Sequence, residues 1–283
     1  MEPVAPLVST EWLGANLGRP GVVIIDATYH LPNVKRDARA EYEREHIPGA
    51  MFFDIEAISD HATDLPHMLP PPDAFARALE SLGIGSDDHV IAYDSYGLMS
   101  AARPWWMLRV FGHDRVSVLD GGLPKWKREG RPVTDAPSTP ATGKRFEARL
   151  RPELVRSKAQ LLANLTARTE QVLDARSAGR FQGTQPEPRP GLRGGRIPGS
   201  RNLPYNELLD PEQGTVLPPD ALRARFKSAG INPQQPVVTS CGSGVTACVL
   251  ALGLELAGAR RVAVYDGSWS EWGLPGDTPV ETG

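Results

Sequence analysis

Val237-Val238-Thr239-Ser240-Cys241-Gly242-Ser243-Gly244-Val245-Thr246-Ala247-Cys248-Val249-Leu250-Ala251-Leu252 decides the architecture. A β-branched strand ends at Ser240, a six-residue turn occupies 241–246, and an apolar run of helical length follows. Strand, turn and helix in that order belong to an α/β sheet, whose ligands bind beyond the carboxyl ends of its strands. Cys241 falls at that place. Gly242 and Gly244 let the backbone curl so that amide N–H groups point inward, and the positive end of the helix dipole adds to them. Such a cradle stabilises an anion, and with Cys241 inside it the anion is a thiolate, a nucleophile that needs no adjacent base. A free cysteine is otherwise a small buried hydrophobe, and that is the reading for Cys248, which lies inside the helix beside Val249 and Leu252.

Working outward, the same pattern is written a second time. Val23-Ile24-Ile25-Asp26-Ala27 recurs as Gln171-Val172-Leu173-Asp174-Ala175 at an offset of 148. His46-Ile47-Pro48-Gly49-Ala50 returns as Arg196-Ile197-Pro198-Gly199-Ser200 at 150, and Val90-Ile91-Ala92-Tyr93-Asp94 answers Val237-Val238-Thr239-Ser240-Cys241 at 147. Val118-Leu119-Asp120-Gly121-Gly122 matches Val264-Tyr265-Asp266-Gly267-Ser268 at 146, and each copy is followed by a tryptophan, Trp126 and Trp272. Four segments in one order at nearly one spacing describe a duplicated unit. Asp94 then stands where Cys241 stands, and a carboxylate is not a thiol nucleophile, so thiolate chemistry at this position belongs to the second half.

The expected fold is therefore α/β, with two tandem domains, each a parallel sheet flanked by helices. Residues 1–128 form the first and 144–283 the second. Between them 129–143, rich in proline and poor in large apolar residues, reads as an exposed linker. Pro72-Asp73 and Pro219-Asp220 mark matching helix starts.

Composition narrows the chemistry. The chain has 283 residues, with 31 Lys and Arg against 34 Asp and Glu, a net charge of -3. Binding driven by a basic surface, to nucleic acid or to an anionic membrane, is excluded on that balance. No apolar run approaches the roughly 18 residues that span a bilayer. The start, Met1-Glu2-Pro3-Val4-Ala5-Pro6, lacks a basic leader, so a cytoplasmic location is expected. Two cysteines are too few for a disulfide framework or a thiolate zinc site, and no cofactor or metal motif is visible.

The doubled half, the Cys-Gly-Ser-Gly-Val-Thr loop at 241–246 and the flanking Tyr265-Asp266-Gly267-Ser268-Trp269 resemble the tandem-domain rhodanese superfamily, over nearly the whole chain from Ser9 to Trp272. Within it the likeness is to the branch that uses 3-mercaptopyruvate. The resemblance implies that Cys241 takes a sulfane sulfur as a persulfide, releases pyruvate, and passes the sulfur to an acceptor such as thioredoxin or cyanide. It also implies that Gly242, Gly244, Val245 and Thr246 line the donor site.

Arg180 and Arg189 sit on a Pro/Gly-rich loop following the strand that ends at Asp174, in the run Gly179-Arg180-Phe181 and Glu187-Pro188-Arg189. Taken alone, loop arginines are solvated. The resemblance makes these two the holders of the substrate carboxylate and keto oxygen, to which planar guanidinium donors are matched. Arg193 and Arg196 keep the solvated reading. A proton relay is implied from Ser243 to a histidine, for which His67 fits, and on to a carboxylate from the first half. Glu56 stands where Asp is usual, with Asp54 and Asp60 as competitors.

Three other readings stay open. A thiosulfate-preferring relative carries basic residues just after the cysteine, where this chain has neutral Gly242 and Ser243. A non-catalytic sulfur carrier or binding scaffold would have no use for an intact loop. A thiol phosphatase needs an arginine directly after the loop, and Ala247 is there instead.

Overall fold

The computed structural model describes residues 4–283. Met1, Glu2 and Pro3, on which the leader reading partly rests, lie outside the described residues. Each half is built on a five-stranded, all-parallel sheet. In chain order the first holds β1 (Leu7–Val8), β2 (Val22–Asp26), β3 (Met51–Phe52), β4 (His89–Tyr93) and β5 (Val116–Leu119). The second holds β6 (Val155–Arg156), β7 (Gln171–Asp174), β8 (Arg201–Asn202), β9 (Val237–Ser240) and β10 (Val262–Tyr265). The spatial orders are β1-β5-β4-β2-β3 and β6-β10-β9-β7-β8, one topology used twice.

The duplication extends to register and to single hydrogen bonds. Asp26 pairs with Tyr93 in the first sheet and Asp174 with Ser240 in the second. Trp126 Nε1 donates to the Pro132 carbonyl, and Trp272 Nε1 to that of Pro279, both at 2.8 Å. His46 forms an isolated bridge with Thr134, as Arg196 does with Glu281. These last pairs show that the proline-rich segment after Trp126 is not simply a spacer. Its first residues repeat the end of the chain and are tied to the first unit by Thr134 and Pro132.

By contact density the first unit takes in the residues up to Asp60, Leu69–Arg151 and Asp210–Val216, and the second His61–Met68, Pro152–Leu209 and Leu217–Gly283. The units are thus discontinuous along the chain, unlike the contiguous spans 1–128 and 144–283. His67 groups with the second unit although it comes from the first half of the sequence.

Local chemistry explains the elements. The central strands β4 and β9 are buried throughout because helices cover both faces of a parallel sheet. Helices Pro72–Ser81 and Pro219–Ser228 both open with proline in the first turn, where its missing N–H costs nothing. Helix Lys158–Ala167 begins with a full capping box between Ser157 and Gln160. The apolar core of the first unit centres on Ile24, Ile91, Tyr93 and Trp126, and that of the second on Val172, Val238, Tyr265 and Trp272. Among the described residues no helix is long and apolar enough to cross a membrane. In each sheet, parallel strands bring all carboxyl ends to one edge, and in the second that edge carries Asp174, Cys241 and the turn after Tyr265.

Candidate active site

Cys241 is the first residue beyond β9 and is buried, with 2% of its surface exposed. Residues 242–246 turn over it, Gly244 adopting φ 76°, and the chain enters helix Ala247–Leu256. Of the loop residues only Gly242 and Thr246 are partly exposed. The neighbouring turn braces this loop. Ser268 Oγ accepts the N–H groups of Cys241 and Gly244, each at 3.1 Å, and donates to the Tyr265 carbonyl. The N–H groups of Trp269 and Ser270 close the cage on the carbonyls of Cys241 and Gly242. Ser268 itself has φ 47°, a left-handed conformation uncommon for a residue with a side chain. Its counterpart in the first unit is Gly122 at φ 53°, where an added Cβ would stand 2.6 Å from the Asp94 carbonyl.

The first unit displays what such a loop does. Asp94 Oδ2 accepts the backbone N–H groups of Met99, Ser100 and Ala101 at 2.8 Å each, and Oδ1 that of Tyr96 at 2.9 Å. Gly97 has φ 98° at the position of Gly244. The loop after the central strand is an anion cradle, and in the first unit its anion is the protein's own carboxylate.

Around Cys241 the structure gathers three further groups. His67 is buried, with φ 63°, and its Nδ1 lies 3.0 Å from Ser243 Oγ and 3.3 Å from the Ser243 carbonyl. Arg180 reaches over the loop from helix Ala178–Gln182. A Cβ on Gly242 would stand 2.8 Å from its Nη2, so the guanidinium occupies the space that a side chain there would take. Cys248 is fully buried in the helix, and its Sγ lies 3.1 Å from the Gly244 carbonyl, a core position.

Arg189 lines a cavity of about 360 Å³ with Thr184, Pro186 and Glu187. Glu56 belongs to the first unit and is exposed, its N–H on Asp54 Oδ1. Asp54 also accepts from Ala57 N–H, and Asp60 closes the same segment of that unit. Arg193 and Arg196, expected to be merely solvated, are structural. Arg193 donates to the carbonyls of Trp272, Gly273 and Thr278, and Arg196 covers the Phe181 ring and donates to the Gly283 carbonyl.

Sequence reading missed a chain of charges behind Arg180. Arg176, wholly buried, chelates Asp174 through Nε and Nη2, donates to the Gly195 carbonyl, and stacks on Trp269 with Cζ 4.2 Å from the ring centre. Its Nη1 meets Glu187 Oε1 at 2.6 Å, and Glu187 Oε2 receives Nη2 of Arg180 at 2.5 Å and Nε at 3.1 Å. Burial alone would make the Arg176 charge harder to keep, but Asp174 and Glu187 outweigh it and hold the guanidinium above its ordinary pKa. The available signal was position: Arg176 follows Asp174 by two residues, where the first half has Thr28 after Asp26.

Comparison with known proteins agrees with the duplication. The family of rhodanese-like domains matches twice, over residues 9–129 and 157–274. The chain is similar to the 3-mercaptopyruvate sulfurtransferase of Escherichia coli (strain K12), with 45% identity over 97% of both chains. It is similar also to the mitochondrial thiosulfate/3-mercaptopyruvate sulfurtransferase 1 of Arabidopsis thaliana, at 44% identity over 98% of this chain and 78% of that one. Among solved structures it resembles the crystal structure of SseA from Escherichia coli, described as a 3-mercaptopyruvate sulfotransferase, with a TM-score of 0.85 and 41% identity over 94% of this chain and 99% of that one.

Proposed function

The chain belongs to the rhodanese family in both halves, and from that premise we propose that it is a 3-mercaptopyruvate sulfurtransferase working through a persulfide on Cys241. The observation that carries the reading is the placement of Arg180 over Gly242, beside a buried cysteine held in a loop whose twin wraps a carboxylate.

The Cys241 thiolate attacks the thiol sulfur of 3-mercaptopyruvate, forming an S–S bond while the C–S bond breaks. The departing three-carbon fragment leaves as the enolate of pyruvate and takes up a proton at carbon. Arg180 and Arg189 bind the carboxylate and keto oxygen, the second of which gains charge as the enolate forms, so donors aimed at it lower the barrier. The curled backbone of Gly242, Gly244, Val245 and Thr246 stabilises the sulfur anion before and after transfer. The Ser243 hydroxyl, in reach of His67 Nδ1, moves the proton, with a carboxylate for which Glu56 is our assignment and Asp54 and Asp60 the competitors. In the second half-reaction an acceptor thiol, for example that of thioredoxin, or cyanide removes the outer sulfur and Cys241 returns as thiol. A free thiol nucleophile suits a reducing compartment such as the cytoplasm.

Donor preference follows from charge. With neutral Gly242 and Ser243 directly after the cysteine, a carboxylate monoanion fits better than the thiosulfate dianion. Steady-state pyruvate release from 3-mercaptopyruvate and sulfite release from thiosulfate, each with one dithiol acceptor, test this. We expect the larger kcat/KM for 3-mercaptopyruvate; the reverse order identifies a thiosulfate enzyme, and negligible turnover of both a carrier or scaffold.

A further inference from the structure

The first unit holds a cavity of about 540 Å³ at the carboxyl edge of its sheet, and Asp26, Thr28, Glu45 and Leu123 are among the residues that line it. By the offsets of the repeat these four answer Asp174, Arg176, Gly195 and Trp269. In the second unit those residues form one arrangement. Arg176 chelates Asp174, donates Nη2 to the Gly195 carbonyl at 2.8 Å and covers the Trp269 ring. In the first unit the arginine is replaced by Thr28, and the counterparts of everything its guanidinium would touch line an open space.

Asp26 is in consequence a buried anion without a counter-charge. It is 2% exposed, and it accepts from the Thr28 N–H at 2.9 Å and from the Thr28 and Tyr93 hydroxyls, all neutral donors. Among the described residues no cation pairs with it, and burial pushes its carboxyl up to about 6. Of the other charges on the cavity wall, Arg36 is taken by Glu41 through Nε and Nη2, at 2.7 Å each, and Lys127 by Glu45. Arg44 and Arg128 line the cavity too and meet no carboxylate among the described residues; Arg128 gives one hydrogen to the Gln213 carbonyl. Ser95, which stands where Gly242 does, adds a buried hydroxyl with no partner. The charges left over are one anion at the sheet and two cations.

We infer that this cavity binds a small guanidino acid, whose guanidinium takes on Asp26 the place that Arg176 fills on Asp174 and whose carboxylate meets Arg44 and Arg128. A planar fork of N–H donors matches a carboxylate in a way that a point charge does not, and Leu123 offers its flat face apolar cover where Trp269 covers Arg176. Asp26 has already lost its water on folding, so only the ligand is desolvated on binding. The site belongs to the first unit and is independent of the chemistry assigned to Cys241.

Isothermal titration calorimetry of the full chain with guanidinoacetate, 3-guanidinopropionate and 4-guanidinobutyrate tests it. At least one of the three is expected to bind at one site per chain with a Kd below about 1 mM, and no binding of any at about 10 mM overturns the inference. The alkyl carboxylate of equal length, which lacks the guanidinium, should bind about tenfold more weakly or less; equal affinity would reveal a plain anion site and also overturns it. Asp26→Asn keeps an acceptor but removes the charge, and should weaken the guanidino acid by about tenfold or more. Affinity unchanged in that variant would place the ligand elsewhere. Thr28→Arg gives the first unit the second unit's own guanidinium and is expected to abolish binding; undiminished binding contradicts the correspondence with Arg176. Should either variant not fold, the comparison of guanidino acid with alkyl carboxylate on the wild-type chain still decides.

Discussion

His67 Nδ1 stands 3.0 Å from Ser243 Oγ, within hydrogen-bonding distance, and 3.3 Å from the Ser243 carbonyl. The two residues are 176 positions apart, and the contact holds a histidine in a left-handed backbone conformation. A hydroxyl and an imidazole joined in this way act on a proton as one unit. Ser243→Ala and His67→Asn are each expected to lower kcat by about a hundredfold, within the range for general acid–base catalysis, with much smaller effects on KM. The double variant should lose little more than either single one, because the unit is already broken. Losses that multiply would show that the two act separately.

Ser268 is predicted to position the nucleophile's loop. Its Oγ is the acceptor for the Cys241 and Gly244 amides, so Ser268→Ala leaves two buried donors without it. Stopped-flow measurement of persulfide formation should show a slowing of roughly tenfold, a change of about 1.4 kcal/mol in the barrier. KM should move little, since Arg180 is untouched. A drop confined to KM would place the effect of Ser268 elsewhere.

Asp94 carries a stability prediction. Oδ2 faces three N–H donors and Oδ1 a fourth, so an asparagine cannot turn its NH2 group away from a donor. Asp94→Asn should therefore destabilise the first unit nearly as much as Asp94→Ala, each by about 3 kcal/mol in denaturant unfolding, the scale of a buried, charge-assisted network losing its acceptor. A loss below about 1 kcal/mol for asparagine would contradict the cradle geometry.

Asp26 is the twin of Asp174 without an arginine to pair with. Burial pushes its carboxyl up to about 6, against an ordinary 3.8, although the Thr28 N–H donates to it. Between those values the folded protein binds a proton that the unfolded chain does not. The stability this contributes is fully present below pH 3.8 and is lost as the pH rises through 6. Asp26→Asn keeps an acceptor for Thr28 and removes the titration. Its melting temperature relative to wild type should be raised at about pH 7.5, and the advantage should fade toward about pH 4. A difference independent of pH would mean that Asp26 is not the group responsible.

Much of this was legible in the residues because it is local or repeated. The strand, turn and helix around Cys241 follow from strand-forming Val237 and Val238, the two loop glycines and an apolar run. The doubling showed in four short segments, and it extends to the paired contacts of Trp126 and Trp272. The features that escaped notice depend on the chain folding back over long distances. Glu187 and Arg176 look like ordinary loop charges until the turn after β7 folds them together. Ser268 was visible only as the partner of Gly122, and nothing in its neighbours announces a left-handed serine. The linker looked uniform by composition, yet Thr134 is drawn onto the first unit by pairing with His46. Contact density cannot be read from composition either, and it groups segments 61–68 and 210–216 with units other than their neighbours along the chain.

The central claim is that Cys241 receives the sulfur. Peptide mass spectrometry after incubation with 3-mercaptopyruvate, without acceptor, tests it most directly. The account predicts one added sulfur atom on the peptide bearing Cys241, released pyruvate in equal amount, and neither in Cys241→Ser. Sulfur found on Cys248 instead, or pyruvate still released by Cys241→Ser, would contradict it.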